Sequence, residues 1–306
     1  MHMMSRYQYD SITWIDLNQP TEEEVSVVAK EFSIDAVVSH DLLTPTPKPK
    51  VEIGKGYLYT VLHFPVSKHT HMEDCSSQEI DFLVGKNFVI TVRYEIVDAL
   101  EQLAKEVEVK SIVTDGMDKR SGNLLFFIML KELYESVENE LGYLNDWMQG
   151  IEKKIFTGQE KDMVISLSHA IRVLLDFKKV IRTHTHLLPA IEISGKKIFG
   201  DEFEYQIDAL QAEHGNISES IDSLMESVVE FRETNNSLLE SKQNEVMKTL
   251  TLMAFITLPL SLIASIFSMN TWLPFVGQEN DFFIVLIIMV VAILTIFLAF
   301  KLRKWI

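Results

Sequence analysis

Two uncharged apolar runs, 249–270 and 282–300, close this chain. At ~1.5 Å of rise per helical residue, each is long enough to cross a hydrocarbon core ~30 Å thick. Only the segment 271–281 separates them, so the chain is expected to dip through a bilayer and return at once. Two helices from one chain cannot enclose a water-filled path. Any transport through them requires several copies.

Charge predicts the orientation. Lys301, Arg303 and Lys304 follow the second run, and Lys242 and Lys248 precede the first. The connecting loop has no Lys or Arg but holds Glu279 and Asp281. The positive-inside bias then places both termini in the cytoplasm and the loop outside. This is a multi-pass arrangement in the plasma (inner) membrane, with 1–248 a cytosolic body. Residues 1–10 lack an apolar core segment, so no cleavable signal is expected.

The formal net charge is −16 over 306 residues, and the two runs contribute almost none of it. An acidic body repels nucleic-acid backbones and gathers cations, so no nucleic-acid partner is expected. Solubility alone is the blander account of the same acidity. Cys75 is the only cysteine, which rules out an intrachain disulfide framework.

The first third reads as mixed α and β. Strands are predicted over 12–17, 57–64, 79–84 and 87–94, the last two joined as a hairpin by Gly85-Lys86. Pro20 to Glu24 carries the acids of a helix start. A second helix is predicted over 34–43, stopped by Pro45, Pro47 and Pro49. Helical spacing returns over 95–109. From about 118 the pattern is almost continuous helix, predicted as 121–156, then 160–188, with a third starting near Asp201. Gly150 and Gly158 mark one break, and Pro189, Gly195 and Gly200 another.

The third helix carries the clearest periodicity. Ile207, Leu210, His214, Ile217, Ile221, Leu224, Val228, Phe231, Asn235, Leu238, Lys242 and Glu245 advance in steps of three and four. The simplest reading is one helix over 201–270, roughly 100 Å long. The alternative is a break at Asn235-Asn236. Inside the membrane run, Asn244, Met247, Thr251, Ala254, Leu258, Ser261, Ser265 and Ser268 share one face. Small polar residues let membrane helices pack closely with no pore; symmetric copies can also turn such a face toward water. Spacing leaves both open. Pro259 removes a backbone donor mid-run and is a candidate bend.

Here the residues carry a resemblance. Asn244-Glu245-Val246-Met247-Lys248, Leu258-Pro259-Leu260 and Ser268-Met269-Asn270 are similar to the CorA family of divalent-cation transporters. Pro49-Lys50-Val51-Glu52 and 85–91 resemble it more loosely. The resemblance implies a homopentamer in a lipid bilayer, with the first span lining the pore and the second forming an outer ring. Ser268, Met269 and Asn270 would be the selectivity filter, with Asn270 ringing the extracellular mouth. Met247, Leu250 and Leu258 match the family's hydrophobic constrictions, with Asn244, Thr251, Ala254, Ser261 and Ser265 lining the path between and beyond them. The cargo would be Mg²⁺, with Co²⁺ and Ni²⁺, and no other cofactor is implied. Met269 at the middle of the triplet argues against the zinc-transporting branch, the nearest alternative. A membrane-anchored oligomeric scaffold without transport is the alternative of another class.

The chain departs from the family pattern in three places. Ser268 stands where the hallmark has glycine, which matters only if that position needs positive φ. Leu273-Pro274-Phe275 replaces the acidic loop motif, leaving Glu279 and Asp281 as loop acids. Lys68 and Ala209 fall where the family places regulatory metal ligands, with Asp74 and Asp208 as weak substitutes.

His69, His71, Glu73, Asp74 and Cys75 crowd one segment and could hold a transition metal, though a solvated loop is the simpler reading. His184 and His186 are too close in sequence to share a helix face. Glu132, Glu135, Glu138 and Glu152 are expected on a wet acidic face. No Ser-His-Asp grouping or phosphate loop stands out, so no enzyme is expected. The fold expected is an α+β, sandwich-like cytosolic domain (1–115) and a helical hairpin (116–200). A stalk helix running into the first span (201–270), a loop (271–281), a second span (282–300) and a basic tail (301–306) complete it.

Overall fold

The computed structural model describes residues 3–9, 11–67, 75–113, 121–269 and 281–302. It divides into two compact units, Met1–Glu233 and Thr234–Ile306.

The first unit is built on a six-stranded sheet in the order β1-β2-β6-β5-β4-β3. The strands are β1 (Met3–Tyr9), β2 (Ile12–Asn18), β3 (Lys50–Ile53), β4 (Tyr57–Ser67), β5 (Cys75–Gly85) and β6 (Phe88–Arg93). Only β2 and β6 run parallel. β5 and β6 form the expected hairpin, with Lys86-Asn87 as its link, one residue later than predicted. β1 and β3 were not expected. Both are edge strands, half exposed, and such strands need little apolar alternation.

Two short helices cover one face of the sheet: α1 (Glu22–Phe32) and α2 (Ala36–Asp41). Thr21 and Glu24 form a reciprocal capping box that starts α1. Val25, Val28 and Val38 pack there against Ile15, Tyr59, Val61, Leu83, Ile90 and Val92. α2 is shorter than the 34–43 predicted. α3 (Asp98–Val113) follows β6.

Two long helices back onto the sheet: α4 (Gly122–Phe156) and α5 (Glu160–Phe199). The ring of Phe126 meets Phe82 of β5 edge-on at 5.2 Å, and Tyr134 meets Phe64 of β4 at 5.6 Å. α4 runs through Gly150 to Phe156 as expected, but α5 continues past the predicted end at 188, through Pro189 and Gly195, to Phe199. Gly195 is a packing notch: a Cβ there would sit 2.1 Å from the Phe203 ring. Packing thus overrides the local breaker signal. The turn at Gly158 and the stop at Gly200 are as expected, both with positive φ.

α6 (Asp201–Ser268) is one helix, unbroken at Asn235-Asn236 or Pro259. In the first unit its seam residues Ile207, Leu210, Ile217, Ile221 and Val228 are buried. In the second unit α6 is joined by α7 (Asp281–Leu302). Phe255 of α6 and Phe300 of α7 meet edge-on at 5.9 Å. Both helices are long and apolar enough to cross a membrane, and none of either apolar window is buried within the chain.

Candidate ion pathway

The predicted stripe lies on α6 with its side chains outward. Met247 and Leu250 are each 55% exposed and Leu258 69%. Asn244, Ala254, Ser261, Ser265 and Ser268 are also exposed, and Thr251 is half-buried. No charged residue interrupts this face from 249 to 269.

Several hydroxyls of the span, those of Thr251, Thr257 and Ser268 among them, are tied to its own backbone. Thr251 Oγ1 donates to the Met247 carbonyl at 2.7 Å and Thr257 Oγ1 to Met253 at 2.9 Å. Ser268 Oγ donates to the Ser265 carbonyl at 3.0 Å. Such back-bonding lets a polar side chain sit on an apolar helix without an unsatisfied donor. Pro259 removes one ladder bond, and the helix continues through it.

Ser268 closes the last turn of α6, and the Met269 amide donates to the Ile266 carbonyl at 3.3 Å, tightening the helix end. Among the described residues the only non-glycine positions with positive φ are Gln19 and Ser33. Ser268 is therefore unstrained where the family hallmark carries glycine. Asn270 and Glu279 lie outside the described residues. Asp281 opens α7.

Asp208 is exposed on α6, as is Ala209, while Lys68 and Asp74 lie outside the described residues. His69, His71 and Glu73 lie outside them too, and Cys75 opens β5. Among the described residues no three His, Cys, Asp or Glu side chains converge on a metal-sized space.

The acidic face on α4 is partly as expected. Glu135 and Glu138 are exposed, while Glu132 and Glu152 are half-buried. Glu135 and Glu138, with Lys131 and Glu213, flank a hollow of about 360 Å³ between α4 and α6. Burial, opposed by Lys131 and assisted by Glu138 and Glu135, holds the Glu213 carboxyl above its usual range.

His184 and His186 do part company: His186 is exposed and His184 fully buried. His184 Nε2 donates to the His63 carbonyl at 2.9 Å, so its Nδ1 must accept the Tyr134 hydroxyl at 2.7 Å. The His214 ring lies 6.2 Å away and bonds the Ile181 carbonyl. Burial holds the His184 imidazole down at about 3, so it stays neutral. This network joins β4, α4 and α5 at one point.

Two buried carboxyls were missed. Asp16 accepts from Arg93 Nη2 at 3.0 Å and from Thr91 Oγ1 at 2.7 Å, with Trp14 Nε1 donating in turn to Thr91. Asp81 accepts from the Tyr59 hydroxyl at 3.0 Å. The available signal was an acid flanked by apolar residues inside a strand run, at 16 and again at 81.

Known proteins supply the frame for this geometry. The chain is 25% identical over 304 residues to the cobalt/magnesium transport protein CorA of Thermotoga maritima, covering 96% of this chain and 83% of that protein. It is 23% identical over 298 residues to the cobalt/magnesium transport protein CorA of Methanocaldococcus jannaschii, covering 96% and 92%. The complete structure of the CorA magnesium transporter from that organism superposes with a TM-score of 0.84 at 21% identity, covering 97% of this chain and 92% of that one. The fold is thus that of a full CorA subunit, soluble domain, long helix and second apolar helix included. A family profile described as "CorA-like Mg2+ transporter protein" matches residues 9–304, and the chain belongs to that family.

Proposed function

We propose that this chain forms a homopentamer that passes hydrated divalent cations, Mg²⁺ foremost with Co²⁺ and Ni²⁺, along the α6 stripe. The observation that carries this is the charge-free exposed face of α6 in a chain of the CorA-like family. Two relatives named as cobalt/magnesium transport proteins support the choice of ions. Both termini lie in the cytoplasm, consistent with Lys301 and Arg303 after the second apolar run and acids before it.

Mg²⁺ sheds its water reluctantly, so a ring of neutral Asn270 amides selects it through outer-shell hydrogen bonds. Carboxylates there would grip the ion too tightly for release. Leu258, Leu250 and Met247 close the path by dewetting. The membrane potential drives the ion, a doubly charged species gaining about 4.6 kcal/mol per ~100 mV. No Asp, Glu, His, Lys or Arg lies between 249 and 269 to relay protons.

The test is uptake into proteoliposomes containing a fluorescent dye, run for Mg²⁺, Co²⁺, Ni²⁺ and Zn²⁺ under a voltage or a pH gradient. Voltage-dependent Mg²⁺ flux is expected. Asn270→Ala is expected to abolish it or remove its ion preference while the oligomer persists. Flux that follows the pH gradient and ignores voltage would overturn the mechanism; a silent Asn270→Ala would leave only a scaffold.

A further inference from the structure

The loop 42–49 crosses the outer edge of the sheet between α2 and β3. Its centre reads Pro45-Thr46-Pro47-Lys48-Pro49, and proline has no N–H. The Thr46 amide fastens it: that N–H lies 2.7 Å from both carboxylate oxygens of Glu79 on β5.

Asp81 stands two residues further along β5 and so faces the same way. It is fully buried. Its Oδ2 accepts from Tyr59, while Oδ1 has no donor among the described residues. The neighbouring acid on that face is Glu79, whose negative charge acts on Asp81. We propose that Glu79 and Asp81 share a single proton, and that giving it up unfastens the 45–49 strap from the sheet.

The surroundings favour that sharing. β4 contributes Tyr59 and His63, whose Nε2 is 3.4 Å from Glu79. β3 contributes Lys50 and Glu52, and α2 contributes Asp41, with Lys50 paired to both acids. Tyr94 comes in after β6, its hydroxyl 3.5 Å from the Asp41 carbonyl. Lys50, the cation whose charge reaches Asp81, is thus already engaged by Asp41 and Glu52. Burial, then the neighbouring Glu79 charge, push the Asp81 carboxyl up to about 8. The Tyr59 hydrogen bond and the Lys50 charge act the other way.

In the closed state Asp81 Oδ1–H donates to Glu79, and Glu79 accepts Thr46. When the proton leaves to solvent, two adjacent carboxylates repel, Glu79 swings off, and Thr46 loses its acceptor. Pro47 and Pro49 also wall a cavity of about 240 Å³ whose far side is Asp176, Lys179 and Thr183 of α5. Releasing the strap opens that wall, so mildly alkaline pH alters how α5 meets the sheet edge.

The test follows amide exchange of the 42–50 segment in the full-length protein in nanodiscs, corrected for intrinsic rates, from neutral to alkaline pH. The protonated-carboxyl band is read by infrared difference over the same range. Protection and band are expected to vanish together with a midpoint of about 8. Asp81→Asn supplies an N–H in place of the shared proton, so protection should persist at every pH and the band be absent. Tyr59→Phe and Lys50→Gln should each move the midpoint upward. Wild-type exchange without an inflection, or the same inflection in Asp81→Asn, overturns the proposal. If Asp81→Asn fails to fold, an unmoved midpoint in Tyr59→Phe does so.

Discussion

Phe177 and Leu258 are both large apolar side chains on long helices, yet the first is fully buried and the second 69% exposed. Phe177 belongs to a unit that hides its apolar residues itself and satisfies most of the polar atoms hidden with them. Asp16, Thr91 and His184 are buried there, and each has partners. Leu258 belongs to a unit that hides almost nothing. Every residue from 240 to 250 is exposed, and the apolar windows beyond are unburied. The first unit completes its own core; the second must be completed from outside, by lipid or further copies of the chain. In hydrocarbon the burden reverses: apolar exposure costs nothing there, and unpaired polar groups are the liability. The back-bonded hydroxyls of Thr251, Thr257 and Ser268 answer that liability.

The largest effect that would sharpen this contrast comes from truncating both residues. Phe177→Ala should cost about 3–5 kcal/mol by chemical denaturation, since it leaves a cavity in a closed core. Leu258→Ala should cost less than about 1 kcal/mol, because a side chain 69% exposed loses little contact within the chain, while changing ion flux. Equal losses of stability would break the comparison.

Next in size is an acid limb confined to the first unit. His184, near 6.5 when free and about 3 when folded, binds its proton more readily in the unfolded chain. Stability should therefore fall as pH drops through that window, by up to about 1.4 kcal/mol per unit. His184→Gln should flatten this limb in a pH series of thermal melts. Asp81, raised when folded, acts in the opposite sense: its contribution is full below about 4 and is lost as pH rises to about 8.

The spans were legible because exclusion of charge over 249–270 and 282–300 needs no tertiary knowledge. The edge strands β1 and β3 were not legible, since a strand with one neighbour carries a weak pattern. Pro189 and Gly195 obeyed packing partners instead of their local preference, and the Phe203 ring that needs Gly195 small lies in the next helix. The Asp16 network joins residues 75 and 77 positions apart, a pairing that no local window reveals. The filter triplet was recognised by resemblance, and the stripe by spacing; neither discloses that the Thr251 and Ser268 hydroxyls turn inward to the backbone.

The smallest expected effect is Ser268→Gly, which restores the hallmark glycine. With φ already helical, glycine gains nothing there and should cost about 0.5–1 kcal/mol of helix stability, read as a slightly lower melting temperature. A gain in stability would show that serine strains the span end after all.

A hydroxyl whose hydrogen is committed to a carbonyl behind it offers only lone pairs forward. Water clasped by a positive ion points its hydrogens away from that ion; water around a negative ion points its oxygens away. The Thr251 and Ser268 hydroxyls can greet the first kind of shell and have no hydrogen left for the second. On the proposed path, that stretch of helix would tell plus from minus without one formal charge.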